Sequence, residues 1–298
     1  MNEYHAKVAI IGGGPAGCAA AIQLKRADIN PILFEKNRLG GLALNANLIE
    51  NYLGIEQGIT GEEFGEKVEE QIHSLVIDTV FEKVEKLEIK ENQFLLSTAN
   101  STCLCDYVIV ATGTIPNKLE IKGEKEASEN GLLFYEPVDV PANRTNKSKI
   151  AIIGGSDAAF DYALHFAQRE NEIKILHRSD KFSCLPLLYY RVSNLDTIEL
   201  LYPKKVTEFL VSTDDELTLL LNDNTEVIAD FAMVAIGRKP NNKLLNDIPD
   251  EFISERIFVV GDLITDTFRQ ISIATGQGLR CAMNIINLLR RNDKETGS

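Results

Sequence analysis

The first residues with a chemical role are three glycines near the start of the chain. Gly12, Gly14 and Gly17 follow the apolar run VAIIG and precede the alanine-rich run CAAAIQLKRA, which predicts a strand, a turn and a helix. In such a turn the first glycine bends the chain, the second lets the backbone approach a pyrophosphate, and the third packs helix against strand. Glu35 lies 18 residues beyond Gly17, at the end of the next strand, where a carboxylate accepts a ribose hydroxyl. The pattern predicts a dinucleotide site.

A second glycine-rich turn, within KIAIIGGSDAA, repeats this arrangement with Ser156 in the place of Gly14. The position that matches Glu35 holds His177, which is followed by Arg178. A cationic pair favours the 2′-phosphate of NADPH over a free ribose hydroxyl. Because Ser156 places a hydroxymethyl group beside the pyrophosphate, we expect weaker or shifted binding, and the alternative is a domain that has lost its ligand. The predicted nicotinamide-nucleotide site comprises Gly154, Ser156, Asp157, Ala158, His177 and Arg178.

The histidines show no metal-ligand spacing, and the five cysteines are scattered through the chain. Cys18 opens the first predicted helix, whose positive end favours a thiolate. Cys103 and Cys105 alternate into a strand as core residues, with a CxC redox pair as the alternative. Cys184 is expected to be exposed near the second nucleotide, and Cys281 is expected in the core of the C-terminal helix. We assign no metal and no catalytic residue.

The strands and helices that must hold these residues fall into two similar sets. DYVIVATGTIP, from Asp106, and DFAMVAIGRKPN, from Asp230, each indicate a last strand that closes a nucleotide domain. RIFVVGDL then predicts another buried strand, followed by a long amphipathic C-terminal helix. Short β-rich segments predict a small meander in each domain: Thr79–Leu87, Gln93–Ser97, Val206–Leu210 and Leu217–Leu221.

These sets predict an α/β protein with two Rossmann-like domains, the second inserted in the first. We expect residues 1–114 and 241–298 to form the first domain, and residues 115–240 to form the nicotinamide-nucleotide domain.

The composition is that of a globular protein long enough for two domains, with 298 residues, 44% hydrophobic and 25% charged. A net charge of −13 argues against nucleic acid or an anionic membrane as the main partner. No apolar run approaches the ~18 residues that a membrane span needs. The chain enters a strand almost at once, which leaves no room for a signal peptide, so we expect a cytoplasmic protein with reduced thiols.

The ordered set GGGPAG, Glu35, Gly40-Gly41, ATG, a second nucleotide turn, GD and RQ resembles the two-dinucleotide flavoprotein oxidoreductases. More narrowly, nearly the whole chain resembles the low-molecular-weight thioredoxin reductase family. The resemblance implies FAD in the first domain, NADPH in the second with NADH as the alternative, and a homodimer. The FAD-binding residues it implies are Gly12, Gly14, Pro15, Ala16, Glu35, Lys36, Gly41, Leu42, Asn51, Ala111, Thr112, Gly113, Gly261, Asp262, Arg269, Gln270 and Ile271.

One segment departs from the family pattern. The family has a redox-active CxxC before the second turn, whereas this chain reads FYEPVDVP, keeping Tyr135 and Asp139 but no cysteine. The family's phosphate clamp HRRxxxR is also thinned, since Ser179 and Ser183 stand where arginines would be. Both features are similar to thioredoxin-reductase-type ferredoxin–NADP reductases.

From this departure we expect an FAD enzyme that passes electrons between NAD(P)H and a non-thioredoxin acceptor without a CxxC relay. That acceptor would be ferredoxin, flavodoxin, a quinone or a small oxidant. The alternatives are a nicotinamide-independent flavoprotein reduced by a protein donor such as ferredoxin, and a non-catalytic FAD-binding redox sensor. A disulfide reductase that uses Cys18 or the CxC pair is the remaining one.

Overall fold

The computed structural model describes residues 2–212, 216–253, 255–265 and 267–296. The chain divides into two compact units, the first made of Met1–Leu44, Ile49–Ile115 and Pro240–Ser298, and the second of Asn45–Leu48 and Pro116–Lys239. The predicted domains, with boundaries at 114/115 and 240/241, remain a prediction beside this division.

The strands and helices follow one another in two runs. The first run, up to residue 116, consists of β1 (Asn2–Ile11), α1 (Pro15–Lys25), β2 (Ile32–Phe34), α2 (Gly61–Ser74), β3 (Asp78–Val80), β4 (Lys86–Lys90), β5 (Gln93–Ser97), β6 (Ser101–Val110) and β7 (Thr114–Pro116). The rest are α3 (Glu124–Glu129), β8 (Leu133–Phe134), β9 (Lys149–Gly154), α4 (Asp157–Ala167), β10 (Glu172–Leu176), α5 (Pro186–Ser193), β11 (Ile198–Leu201), β12 (Val206–Val211), β13 (Leu217–Leu221), β14 (Glu226–Ala229), β15 (Phe231–Ala235), β16 (Arg238–Pro240), β17 (Ile257–Val259) and α6 (Ile271–Thr296).

The sheet of the first unit runs in the order β3-β2-β1-β6-β5-β4, with β17 also paired to β6. Strands β3, β2, β1, β6 and β17 are parallel, and apolar residues such as Val8 and Ile109 are fully buried because both faces of the sheet are covered. The α/β fold class is therefore confirmed.

The predicted small meander of the first unit is present as the antiparallel run β4-β5-β6, but it is continuous with the main sheet and does not form a separate one. Strand β6 is long enough to pair twice along one edge, with antiparallel β5 opposite Thr102–Cys105 and with parallel β17 opposite Val108–Val110. As a result β4 and β5 extend the main sheet. The predicted strand Thr79–Leu87 is also divided, because β3 ends at Val80 and β4 begins at Lys86.

One face of the first sheet is covered by α1 and α6. Alanine side chains at Ala20 and Ala21 on α1 and at Ala282 on α6 are fully buried in the same apolar cluster. The helices approach so closely that a Cβ on Gly278 would lie 1.9 Å from the carbonyl oxygen of Ala16. This contact places the beginning of α6 beside the first glycine-rich turn.

The second unit has a parallel sheet in the order β11-β10-β9-β15-β8 and a separate antiparallel sheet of β12, β13 and β14. Here the predicted meander is confirmed, and β13 has the predicted bounds. Phe160 and Phe166 of α4 pack with Phe231 of β15 in a fully buried core. The second unit thus repeats the strand–turn–helix arrangement of the first.

Candidate functional site

The first glycine-rich turn joins β1 to α1 and requires glycine for two separate reasons. Gly12 has φ +110°, and a Cβ there would lie 2.3 Å from the carbonyl oxygen of Ala111. A Cβ on Gly17 would lie 1.9 Å from the carbonyl oxygen of Gly12. The turn therefore packs backbone against backbone, as predicted for its first and third glycines.

Glu35 follows β2 and faces this turn. Its carboxylate accepts hydrogen bonds from the backbone N–H of Gly13 at 2.7 Å and of Asn37 at 3.0 Å. The side chain is buried, so the two amides hold the carboxylate in one position. A fixed carboxylate at the end of this strand suits a free ribose hydroxyl, which donates to it.

The other residues of the first predicted set lie at the carboxyl ends of neighbouring parallel strands. Gly41 and Leu42 begin a short 3-10 turn, and a Cβ on Gly41 would lie 2.8 Å from the Cα of Gly14. Ala111, Thr112 and Gly113 follow β6, while Gly261 and Asp262 follow β17. Because β1, β6 and β17 are parallel neighbours, their carboxyl ends bring these segments to the same edge of the sheet.

The beginning of α6 contributes the last residues of this set. Asn51 donates a hydrogen bond from its side-chain amide to the side-chain oxygen of Gln270 at 2.8 Å. Arg269 donates from Nε to the carbonyl oxygen of Thr265 at 3.4 Å, and Ile271 is the first residue of the helix. The positive end of a 26-residue helix therefore lies beside this segment.

Sequence reasoning missed Gln277. Its side-chain oxygen accepts a hydrogen bond from the backbone N–H of Gly261 at 2.7 Å, which fixes the turn after β17 against α6. The signal in the sequence was the position of Gln277 between Gly276 and Gly278 in ATGQG. A long polar side chain between two helical glycines has no apolar packing role.

The geometry of the first turn fits a dinucleotide pyrophosphate. At Gly14, which caps α1, a Cβ would meet only the Cα of Gly41 at 3.9 Å, so the space in front of the helix is open. No side chain caps α1 and its first turn carries no acidic residue, which leaves its N–H groups and positive end for an anion.

The second turn joins β9 to α4 and has the same backbone shape. A Cβ on Gly154 would lie 2.4 Å from the carbonyl oxygen of Ala235, which is the counterpart of the Gly12–Ala111 contact. Ser156 has φ −102° and ψ 178°, an extended conformation that serine adopts without strain. Its side chain makes no capping hydrogen bond. The weaker nucleotide binding expected from Ser156 therefore depends only on the size of its hydroxymethyl group, and it stays a prediction.

His177 takes the position in the second unit that Glu35 takes in the first. A Cβ on Gly155 would lie 2.3 Å from Nδ1 of His177, just as a Cβ on Gly13 would lie 3.0 Å from the Cβ of Glu35. The count of 18 residues therefore leads to equivalent places in the two units. An imidazole has replaced a carboxylate, with Arg178 exposed beside it.

Asp157 and Ala158 begin α4, and Asp157 already has a structural role. Its Oδ1 accepts a hydrogen bond from the backbone N–H of Leu185 at 2.7 Å. Ser183 donates its backbone N–H to the carbonyl oxygen of Gly155 at 2.8 Å. The loop before α5 is therefore fastened to the second turn at two points.

The structure overturns the expectation that Cys18 favours a thiolate. Burial, with a smaller contribution from the Glu35 carboxylate, raises the pKa of Cys18 to about 12. Its thiol lies 3.1 Å from the carbonyl oxygen of Gly13, to which it donates. Desolvation thus outweighs the helix end. Cys103 and Cys105 are fully buried in the sheet core, and burial also raises the pKa of Cys281 to about 12.

These environments predict that one thiol of the native protein reacts quickly with an aromatic disulfide reagent at neutral pH. Cys184 is only partly buried, whereas Cys18, Cys103, Cys105 and Cys281 are buried. Burial also raises the pKa of Cys184, so its reaction is expected to be slower than that of a free thiol. Cys184→Ser is expected to remove the fast phase, with Cys281→Ser as the control that keeps it. A fast phase that survives in Cys184→Ser would contradict this assignment.

The described part of the chain has neither a metal-binding cluster nor a membrane-spanning helix. Residues 2–212, 216–253, 255–265 and 267–296 contain no cluster of three or more histidine, cysteine or acidic side chains that could hold a metal ion. Among the helices in these ranges, none is long and apolar enough to cross a membrane.

The two turns, each between a buried parallel strand and a helix, define a protein with two dinucleotide-binding units. Residues 6–278 match the family model described as "Pyridine nucleotide-disulphide oxidoreductase", and the chain belongs to that family of oxidoreductases.

Its relatives include several thioredoxin reductases. The thioredoxin reductase of Ureaplasma parvum is 30% identical, with 98% of this chain and 100% of that protein covered. The NADPH-dependent thioredoxin reductase 3 of Arabidopsis thaliana is 27% identical over 98% of this chain, which spans 60% of that protein. The crystal structure of Lactococcus lactis thioredoxin reductase in its FR conformation has a TM-score of 0.83 and 28% identity, with 94% and 97% of the chains covered.

These comparisons correct the expected function. The expectation of a non-thioredoxin acceptor is wrong, because relatives that are 24–30% identical over nearly the whole chain are named thioredoxin reductases. The expectation rested on the cysteines missing from one short segment, whereas the relatives are similar along nearly the whole chain. The predicted cofactors agree with the comparisons, since thioredoxin-reductase homologues bind FAD and NADPH.

Proposed function

We propose that this chain is an FAD- and NADPH-dependent reductase whose electron acceptor is the disulfide of a thioredoxin-type protein. The observation that carries the proposal is the contrast between the two ribose-end positions. Glu35 offers a fixed carboxylate to one nucleotide, whereas His177 and Arg178 offer no negative charge to the other. We therefore expect one chain to accommodate two different dinucleotides, and the name of the Arabidopsis relative, which specifies NADPH, supports the second of them.

The residues of the first unit would hold FAD, which supplies the transfer of a hydride's two electrons when bound. Gly12 and Gly14 bring the backbone to the pyrophosphate, and Glu35 accepts from the ribose. The positive end of α6 favours negative charge next to Gln270 and Ile271. These residues bind and orient, and none of them needs to transfer a proton.

We propose further that no CxxC pair of this chain takes part in the transfer. The segment from Tyr135 to Val138 reads YEPV, and the five cysteines of the chain contain no CxxC spacing. Cys103 and Cys105 are fully buried in the sheet core. Overall, NADPH and a proton convert the partner's disulfide to two thiols, with NADP⁺ as the other product, so atoms and electrons balance.

The test is an assay of NADPH oxidation with purified thioredoxin as the acceptor, followed by quantification of free thioredoxin thiols. We expect oxidation that depends on thioredoxin and two new thiols for each NADPH consumed. Cys184→Ser is expected to retain this activity, because the proposal uses no thiol of this chain. Reduction of the flavin by NADPH without any new thioredoxin thiols would contradict the acceptor, and an unreduced flavin would contradict the coenzyme.

The homodimer and the cytoplasmic location belong to the same proposal. The homodimer rests on the resemblance to the thioredoxin reductase family, whereas the cytoplasmic location rests on five scattered cysteines that suit reduced thiols. Light scattering of the purified protein measures the dimer directly, and a molar mass near the 33.1 kDa of one chain would contradict it.

A further inference from the structure

The second nucleotide turn has a cation whose role the sequence did not suggest. The loop from His177 to Ser183 carries Arg178 and Lys181, both exposed. Neither guanidinium nor ammonium group has an ion-pair or hydrogen-bond partner among the residues that the structure describes. The nearby Lys204, by contrast, forms an ion pair with Asp223.

The loop that carries these two cations is closed by His177. The Nε2 atom of the imidazole lies 2.9 Å from the carbonyl oxygen of Lys181 and 2.7 Å from Oγ of Ser179. The ring is also stacked on Phe182, with centroids 5.0 Å apart. These contacts turn the loop back on itself, so that Lys181 returns to the neighbourhood of the residue that precedes Arg178.

The loop is held against the second turn as well as against itself. Ser183 donates to the carbonyl oxygen of Gly155, whose missing Cβ makes room for the His177 ring. The backbone of His177 is fixed on both sides, since its N–H donates to Leu201 and its carbonyl oxygen accepts from Lys204. The cations thus stand on an ordered support at the ribose end of the site.

We propose that Lys181 acts with Arg178 to bind the 2′-phosphate of NADPH and so determines the preference for NADPH over NADH. This inference rests on the proposed function and goes beyond it by assigning a further specificity residue. A phosphate dianion attracts both cations, and Arg178 adds the planar fork that suits phosphate oxygens. Asp180 lies between them and opposes the anion, so the loop has a net charge of one positive unit.

The experiment measures binding by calorimetry with two probes, adenosine 2′,5′-bisphosphate and adenosine 5′-monophosphate, which lacks the 2′-phosphate. Lys181→Met is expected to weaken binding of the bisphosphate about three- to fivefold and to leave the monophosphate unchanged, as befits an exposed ion pair. Asp180→Asn is expected to strengthen bisphosphate binding. Raising the salt concentration is expected to reduce the effect of both variants.

Lys147→Met is the matched control, because it removes one exposed lysine of the same unit. Lys147 precedes β9, at the end of that strand away from Gly154. The control is expected to bind both probes as the wild type does. Equal binding of the bisphosphate by wild type and Lys181→Met would overturn the role of Lys181 while leaving the proposed function intact. If the wild type binds neither probe, both the role of Lys181 and the proposed function are overturned.

Discussion

Replacing Gly12 by alanine is expected to abolish FAD binding and to destabilise the first unit. The residue has φ +110°, and its new Cβ would lie 2.3 Å from the carbonyl oxygen of Ala111. Backbone strain of this kind costs about 1–3 kcal/mol, and the collision adds to it because neither backbone segment can move without breaking the β1–β6 pairing. The flavin absorbance of the purified protein and its denaturation midpoint measure the two effects.

Two other glycines separate the causes. Gly131 also has positive φ, +66°, but a Cβ there meets nothing within 4 Å, so Gly131→Ala tests strain alone and is expected to cost about 1–2 kcal/mol. Gly276 lies on α6 with open space around it, and Gly276→Ala is expected to be neutral or slightly stabilising. Full flavin content in Gly12→Ala would show that the turn tolerates a Cβ and would refute the requirement for glycine.

Replacing Arg238 by methionine is expected to destabilise the second unit by about 1–3 kcal/mol, because the carboxylate of Glu136 would lose its cationic partner in a partly buried place. The side chains of Arg238 and Glu136 are only 20% and 13% exposed and form an ion pair. The second carboxylate oxygen of Glu136 accepts from the side-chain amide of Asn45 at 2.7 Å. Because the Asn45 amide is neutral, it cannot replace the lost cation. Chemical denaturation of the variant measures the loss of stability.

The exposed ion pair of Lys122 and Glu208 provides the control. The Lys122 side chain is 79% exposed, so Lys122→Met is expected to cost less than about 1 kcal/mol. Adding Glu136→Gln to Arg238→Met removes the carboxylate charge that has lost Arg238 and is expected to restore part of the lost stability. Equal losses in Arg238→Met and Lys122→Met would show that burial does not strengthen the first pair.

The positions around the two turns were predictable because they follow from backbone geometry. Gly12 and Gly17 meet carbonyl oxygens at distances that exclude any side chain, so the motif itself specifies the turn. Glu35 and His177 each lie 18 residues after the last position of their glycine-rich turn. Two strand–helix–strand units whose helices have equal length bring these residues to equivalent positions, so the spacing alone predicts them. Both α1 and α4 have 11 residues, which explains why the same count works twice.

The remaining features depend on contacts between distant segments, which local sequence does not encode. Cys18 has the helix position of a reactive thiol, and only the packing of α6 and the sheet around it reveals the burial that raises its pKa. The joining of β5 to the main sheet depends on how β6 shares one edge between β5 and β17. Likewise, only the placing of the surrounding charges reveals that Lys181 has no ion-pair or hydrogen-bond partner in the described part of the chain.

The discontinuous first unit has a consequence for how the chain is made. A ribosome delivers β1 and β6 early, then Pro116–Lys239 of the second unit, and only afterwards β17, which pairs with β6 at Val108–Val110. Domains generally fold as units during synthesis. We therefore expect the inserted unit to reach its native state first, while the sheet of the first unit waits with one edge of β6 incomplete. Loading with FAD would then be among the last events of biogenesis, after α6 has left the ribosome and reached Ala16.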